Sequence, residues 1–116
     1  MKAVFSRQKL KGIAKVPSSK SYMMRAIVIA LLSGKSYRIN NPLESADTIS
    51  ALYAAEAFGA HVEREGGAWI LTGPAELKQP EKPVDMGNSG TALYFFASVA
   101  ALLPGKTIFT GDAQTR

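Results

Sequence analysis

The sequence predicts a mixed α/β (α+β) fold of repeated βαβαββ units, one full unit followed by half of a second. Three observations lead there. Apolar residues switch between helical and alternating spacing several times along the chain. An internal repeat is visible: Leu31-Leu32-Ser33-Gly34-Lys35-Ser36 returns as Leu102-Leu103-Pro104-Gly105-Lys106-Thr107, 71 residues later, and Ser19-Lys20-Ser21 as Ser89-Gly90-Thr91, 70 residues later. The composition, 47% hydrophobic and 20% charged over 116 residues, is that of a folded domain. Half a repeat leaves an apolar face uncovered, so more protein is expected to follow.

Each element has its own signal. Residues 1–16 read as two short extended pieces, Lys2–Ser6 and Gly12–Val16, ended by Pro17. Ser18-Ser19-Lys20-Ser21 opens a helix, since a serine hydroxyl satisfies an orphan amide at a helix start. The apolar run that follows is too long for one strand and stops at Ser33-Gly34. Lys35–Asn40 alternates, as a strand does, and Asn41-Pro42 breaks it. Ser45 or Asp47 caps a second helix reaching Phe58, with Ile49, Leu52, Tyr53 and Glu56 on one face and four alanines adding helix propensity. His61–Arg64 and Trp69–Thr72 flank Gly66-Gly67, the pattern of a β-hairpin. Residues 73–83 form a polar, proline-containing connection. Val84–Met86 is a short strand, Ala92–Leu103 a helix apolar nearly all round and therefore expected to be buried, and Lys106–Thr110 a last strand.

Composition excludes several chemistries. Without cysteine there is no disulfide scaffold, thiol nucleophile, iron–sulfur cluster or cysteine-based zinc site. His61 is the sole histidine, so no histidine-cluster metal site can be built from this chain; as a strand residue it reads as structural. Gly34-Lys35-Ser36 and Gly105-Lys106-Thr107 imitate the end of a phosphate-binding loop. The motif's first glycine is missing from both, and both precede strands instead of helices. Trp69 reads as packing, and Glu44 and Asp47 as cap and surface charges. The apolar run Ala26–Leu32 is too short to cross a membrane, and the first ten residues hold no signal-peptide core. A cytoplasmic protein with no membrane partner is expected.

A net charge of +5 favours anionic partners. Two loops could receive them. In the first, Ser18 to Ser21 supply hydroxyls and free helix-start amides, Lys20 a point charge, and Arg25, one turn on from Ser21, a bidentate fork. In the second, the glycines of Gly87-Asn88-Ser89-Gly90-Thr91 let backbone approach a ligand closely at the start of an apolar helix. The plain alternatives are a solvated cap with two surface cations and an ordinary strand-to-helix connector. The equivalent places of the two loops in the repeat favour the binding reading of both.

Pro17-Ser18-Ser19-Lys20-Ser21 with Arg25-Ala26, Asn41-Pro42-Leu43 with Asp47-Thr48, Gly87-Asn88-Ser89-Gly90-Thr91-Ala92 and Thr110-Gly111-Asp112 occur in this order. On these motifs the chain resembles the amino-terminal part of the 5-enolpyruvylshikimate-3-phosphate synthase (3-phosphoshikimate 1-carboxyvinyltransferase) family over essentially its whole length. The resemblance implies the enolpyruvyl transferase fold, two domains of three repeats each. Residues 1–16 would be a strand segment pairing with the second domain, and residues 17–116 a partial first substrate-binding domain. It implies transfer of the enolpyruvyl group of phosphoenolpyruvate to the 5-hydroxyl of shikimate 3-phosphate in aromatic amino-acid biosynthesis, with no metal or organic cofactor. Lys20, Ser21 and Arg25 would bind shikimate 3-phosphate. Lys20, Asn88, Gly90 and Thr91 would border phosphoenolpyruvate. No catalytic group is expected within the chain, because the family's proton-transfer residues lie in its second half, so the chain alone is expected to be inactive. The sequence departs from the family at Ser18, where glycine is usual, and at Tyr94, where arginine is usual. Two rival readings are a UDP-N-acetylglucosamine enolpyruvyl transferase, which would need asparagine in place of Ser21, and a nucleic-acid-binding βαβ module, disfavoured by the scatter of the basic residues.

Overall fold

A computed structural model describes residues 1–9 and 11–115. Helix α1 spans Lys20–Ser33, with the Ser19 hydroxyl accepting from the Tyr22 amide and Gly34 closing it at φ 65°. Strand β1 is Ser36–Asn40 and helix α2 is Ala46–Ala57. Strands β2, His61–Glu65, and β3, Ala68–Thr72, form an antiparallel hairpin. Its register leaves Gly66-Gly67 as a two-residue turn, with φ 56° and 71° at the two glycines. Positive φ at both central residues is the twist that tight hairpins require and side chains resist, which is why glycine serves twice here. β1 pairs antiparallel on the other side of β3, giving a three-stranded sheet in the order β1-β3-β2. The outer edge of β1 has no strand partner among the described residues.

The second unit is strand β4 (Val84–Asp85), helix α3 (Gly90–Ala100) and strand β5 (Phe109–Thr110). β4 and β5 pair parallel across the helical crossover. The two units share one core. Met24, Ile27 and Leu31 of α1, Leu52 of α2, Trp69 and Leu71 of β3, and Phe96 and Val99 of α3 are all buried in it. Phe58, just past α2, stacks on Phe96 at 5.8 Å and on Phe109 at 6.5 Å between ring centroids, tying the units together. Gly73 lets the chain leave β3 hard against the end of α1. A Cβ there would lie 2.4 Å from the Ala30 carbonyl oxygen and 2.6 Å from that of Leu31.

Four sequence expectations are corrected. α2 does not bury the face of Ile49, Leu52, Tyr53 and Glu56. It buries Thr48, Ala51, Leu52, Ala54 and Ala55, while Tyr53 and Glu56 are exposed. The packed face is therefore the one of small side chains, which allow helices to lie close together. α3 is not buried all round: Ala92, Phe96 and Val99 face the core, and Tyr94 stands 77% exposed. It starts at Gly90, earlier than expected, and stops at Ala100. Past it Leu102 and Leu103 make i→i−3 bonds of 3.0 Å ahead of Pro104, whose ring forbids continued helix. β5 is shorter than Lys106–Thr110 because its partner β4 offers only two residues. Lastly, residues 1–9 and 11–19 contain neither helix nor strand, so the extended pieces join no ladder here; Leu10 lies outside the described residues.

Candidate functional site

Two serine-capped helix starts lie at equivalent points of the repeat. Ser19 caps α1, and Ser89, only 3% exposed, caps α3 by accepting from the Ala92 amide at 3.3 Å. The Ser19 carbonyl receives the Met23 amide and the Ser89 carbonyl the Leu93 amide, both at 3.0 Å. The same local chemistry thus recurs 70 residues apart, as the sequence repeat anticipates.

The start of α1 is anchored to the loop that leads into α2. The Ser18 hydroxyl donates to the Asn41 carbonyl. In the first turn of α2, the Asp47 carboxylate accepts from the Lys20 ammonium at 2.6 Å. Asp47 is held in place by its neighbours. Ser45 and Thr48 form a reciprocal capping box, and the buried Thr48 hydroxyl also donates to the Leu43 carbonyl at 2.6 Å. Ser45, not Asp47, is the cap, so the carboxylate is left for Lys20.

The second loop is pinned from behind. The Gly87 carbonyl accepts from the Asp112 amide at 3.0 Å and the Thr115 hydroxyl at 2.8 Å, and the Gly87 amide donates to Asp85 at 2.9 Å. The Thr110-Gly111-Asp112 motif thereby fixes the Gly87–Thr91 loop. Gly87 is half-buried, and Asn88, Gly90 and Thr91 are exposed at the start of α3. Ser50 Oγ sits 3.0 Å from where a Gly87 Cβ would be. Asp47 and Ser50 are one turn apart on α2. The first turns of α2 are therefore flanked by Lys20 at one point and by the Gly87 loop at the next.

The remaining candidates are placed differently. Arg25 does not project freely. Its guanidinium donates to the Ser21 carbonyl at 2.8 Å and lies over the Phe95 ring, 5.5 Å from its centroid. With Val28, Ile29 and Phe95 it lines an apolar cleft of about 230 Å³ between α1 and α3. Ser21 is exposed. The arrangement offers a charged ammonium, hydroxyls and helix-start amides to an anion, with a guanidinium one turn away. Sequence reasoning assigned Asp47 only a capping or surface role. Its link to Lys20 spans 27 positions, a separation that no local spacing rule reaches. Glu44 accepts from the Trp69 indole at 3.2 Å, and Trp69 is packing, as expected. Among the described residues, no helix is long and apolar enough to cross a membrane.

Comparison with known proteins gives consistent results. The family model for EPSP synthase (3-phosphoshikimate 1-carboxyvinyltransferase) matches residues 4–116. The chain is 40% identical over 117 residues to the 3-phosphoshikimate 1-carboxyvinyltransferase of Methanococcus maripaludis strain C5, covering 100% of this chain and 27% of that protein. It is 43% identical over 117 residues to the one from Methanococcoides burtonii, with the same coverage. Among solved structures, EPSP synthase from Acinetobacter baumannii superposes with a TM-score of 0.73 at 28% identity, over 89% of this chain and 24% of that one. The chain thus spans 27% of the length of these curated relatives.

Proposed function

The chain belongs to the EPSP synthase family, and from that premise we propose that it forms part of the substrate site of a cytoplasmic enolpyruvyl transferase. The reaction moves the enolpyruvyl group of phosphoenolpyruvate to the 5-hydroxyl of shikimate 3-phosphate by addition and elimination, releasing phosphate. Lys20, Ser21 and Arg25 receive shikimate 3-phosphate. Lys20, Asn88, Gly90 and Thr91 border phosphoenolpyruvate. The observation that carries the reading is the convergence of two serine-capped helix starts, one bearing Lys20, on the first turns of α2.

The physical case is one of charge. Both substrates are multiply anionic, and helix-start amides and an ammonium bind anions without needing a cofactor. A charge-assisted hydrogen bond contributes about 1.5–3 kcal/mol, so losing one weakens binding about tenfold or more. No proton-transfer group is assigned to the chain, which spans 27% of its relatives' length, so it is expected to bind without releasing phosphate.

The test is titration of shikimate 3-phosphate into the 116-residue chain, followed by amide NMR, with Lys20→Ala and Arg25→Ala as variants. Binding at millimolar or tighter Kd, weakened about tenfold in Lys20→Ala, is the expected result. Arg25→Ala tests the first loop separately, because the guanidinium must leave Phe95 to reach a ligand. Wild-type binding indifferent to both changes would sink the reading. Equal uptake of unrelated RNA, abolished by salt, would favour a nucleic-acid module instead.

A further inference from the structure

We propose that Asp47 is a positioning residue for Lys20, holding the ammonium between the starts of α1 and α2 so that an incoming anion meets a pre-oriented donor. The proposal rests on the substrate-site reading for its ligand, but not for its geometry.

Four observations carry it. The Lys20–Asp47 contact, at 2.6 Å, is short and charge-assisted. The two side chains differ in exposure, 55% for Lys20 against 23% for Asp47, so the carboxylate is the fixed partner and the ammonium the presented one. Asp47 is not consumed as a helix cap, because Ser45 and Thr48 already satisfy that end of α2 reciprocally. Thr48, next in sequence, is fully buried and bonded to the Leu43 and Ser45 carbonyls, which fixes the turn that aims Asp47.

Lysine needs such a partner. Its ammonium sits on a flexible four-carbon stem and carries three donor hydrogens. One hydrogen bond to Asp47 restricts the stem and leaves two donors for a ligand. The competing idea is that Asp47 merely neutralises Lys20 and obstructs anions. The two ideas predict opposite signs. If Asp47 positions Lys20, removing its charge weakens anion binding; if it obstructs, removal tightens binding.

The experiment uses the whole 116-residue chain and the variants Asp47→Asn, Asp47→Glu, Lys20→Ala and the double change. Two readouts are taken. The first is the ¹⁵N-resolved signal of the Lys20 ammonium, assigned by its loss in Lys20→Ala. In the wild type it should show slowed proton exchange, which Asp47→Asn abolishes and Asp47→Glu restores. The second is titration of shikimate 3-phosphate. Asp47→Asn should weaken binding about tenfold, the loss expected of one charge-assisted contact. Asp47→Glu should recover most of it, and adding Asp47→Asn to Lys20→Ala should cost nothing further, a non-additivity that a general folding role would not produce.

Unchanged or tighter binding in Asp47→Asn overturns the proposal, as does a wild-type Lys20 signal that exchanges as freely as the other lysines. If the wild type binds no shikimate 3-phosphate, the substrate reading fails. The ammonium signal then still decides whether Asp47 holds Lys20, and the one variant it needs, Lys20→Ala, changes an exposed side chain.

Discussion

Thr48 decides where α2 begins. It is fully buried, gives its hydroxyl hydrogen to the neighbouring carbonyls of Leu43 and Ser45, and closes the capping box with Ser45. Thr48→Val keeps the shape and removes the hydroxyl, so it leaves the Ser45 amide and the Leu43 carbonyl short of a partner, while the Ser45 carbonyl keeps the Ile49 amide. A loss of about 1–2 kcal/mol is expected, read as a lower midpoint in urea unfolding, with Thr48→Ser recovering part of it. At this scale the sequence was legible wherever the chemistry is local. The serines at 18–21 marked the start of α1, and Ser45 was one of two caps offered for α2, because a hydroxyl beside a helix start has one obvious use. Ser89 was missed as a cap, since α3 was expected to begin at Ala92. The Lys20–Asp47 pair was not legible, since the chain between its members had to fold before the two could meet. The stacking of Arg25 on Phe95 escaped for the same reason.

Between elements, what matters is how closely they approach. The buried side of α2 is Ala51, Ala54 and Ala55, all fully buried, against which α1 and its neighbours pack. The periodicity of the larger residues pointed to a different face, because hydrophobic ranking favours Ile49 and Tyr53 over alanine. It does not register that small side chains let two backbones come near. Ala51→Leu should therefore overfill the interface and cost about 1–3 kcal/mol, measurable by thermal unfolding. Gly73→Ala is predicted to cost about 3 kcal/mol, since its methyl group would meet the Ala30 and Leu31 carbonyls, which belong to helix backbone and cannot swing aside. Unfolding by urea would reveal it. The hairpin, by contrast, was readable outright: paired glycines between two alternating runs specify both the turn and its register.

The whole molecule measures 58 × 34 × 19 Å, with a radius of gyration of 17.2 Å. A compact domain of this length would have about 13 Å. Residues 1–9 are all exposed and enter no strand, which accounts for the excess length. Deleting them should leave the calorimetric melting temperature unchanged within about 1 °C, because no buried apolar surface is lost. A drop of several degrees would show that the segment packs after all. At this scale the order of elements from α1 to β5 and the repeat were both legible, and the burial of α3 was not. Its outward residues, Tyr94 and the neighbouring Leu102 at 65% exposure, meet no covering layer among the described residues, which hydrophobicity alone had led one to expect.

The bare side of β1 has one more consequence. Among the described residues, each of its five residues forms ladder contacts toward β3 alone, whereas β3 is bonded on both flanks. A proline scan should therefore separate the two strands: replacements on β1 whose amides face solvent would leave the fold standing, while any replacement along β3 would collapse the sheet.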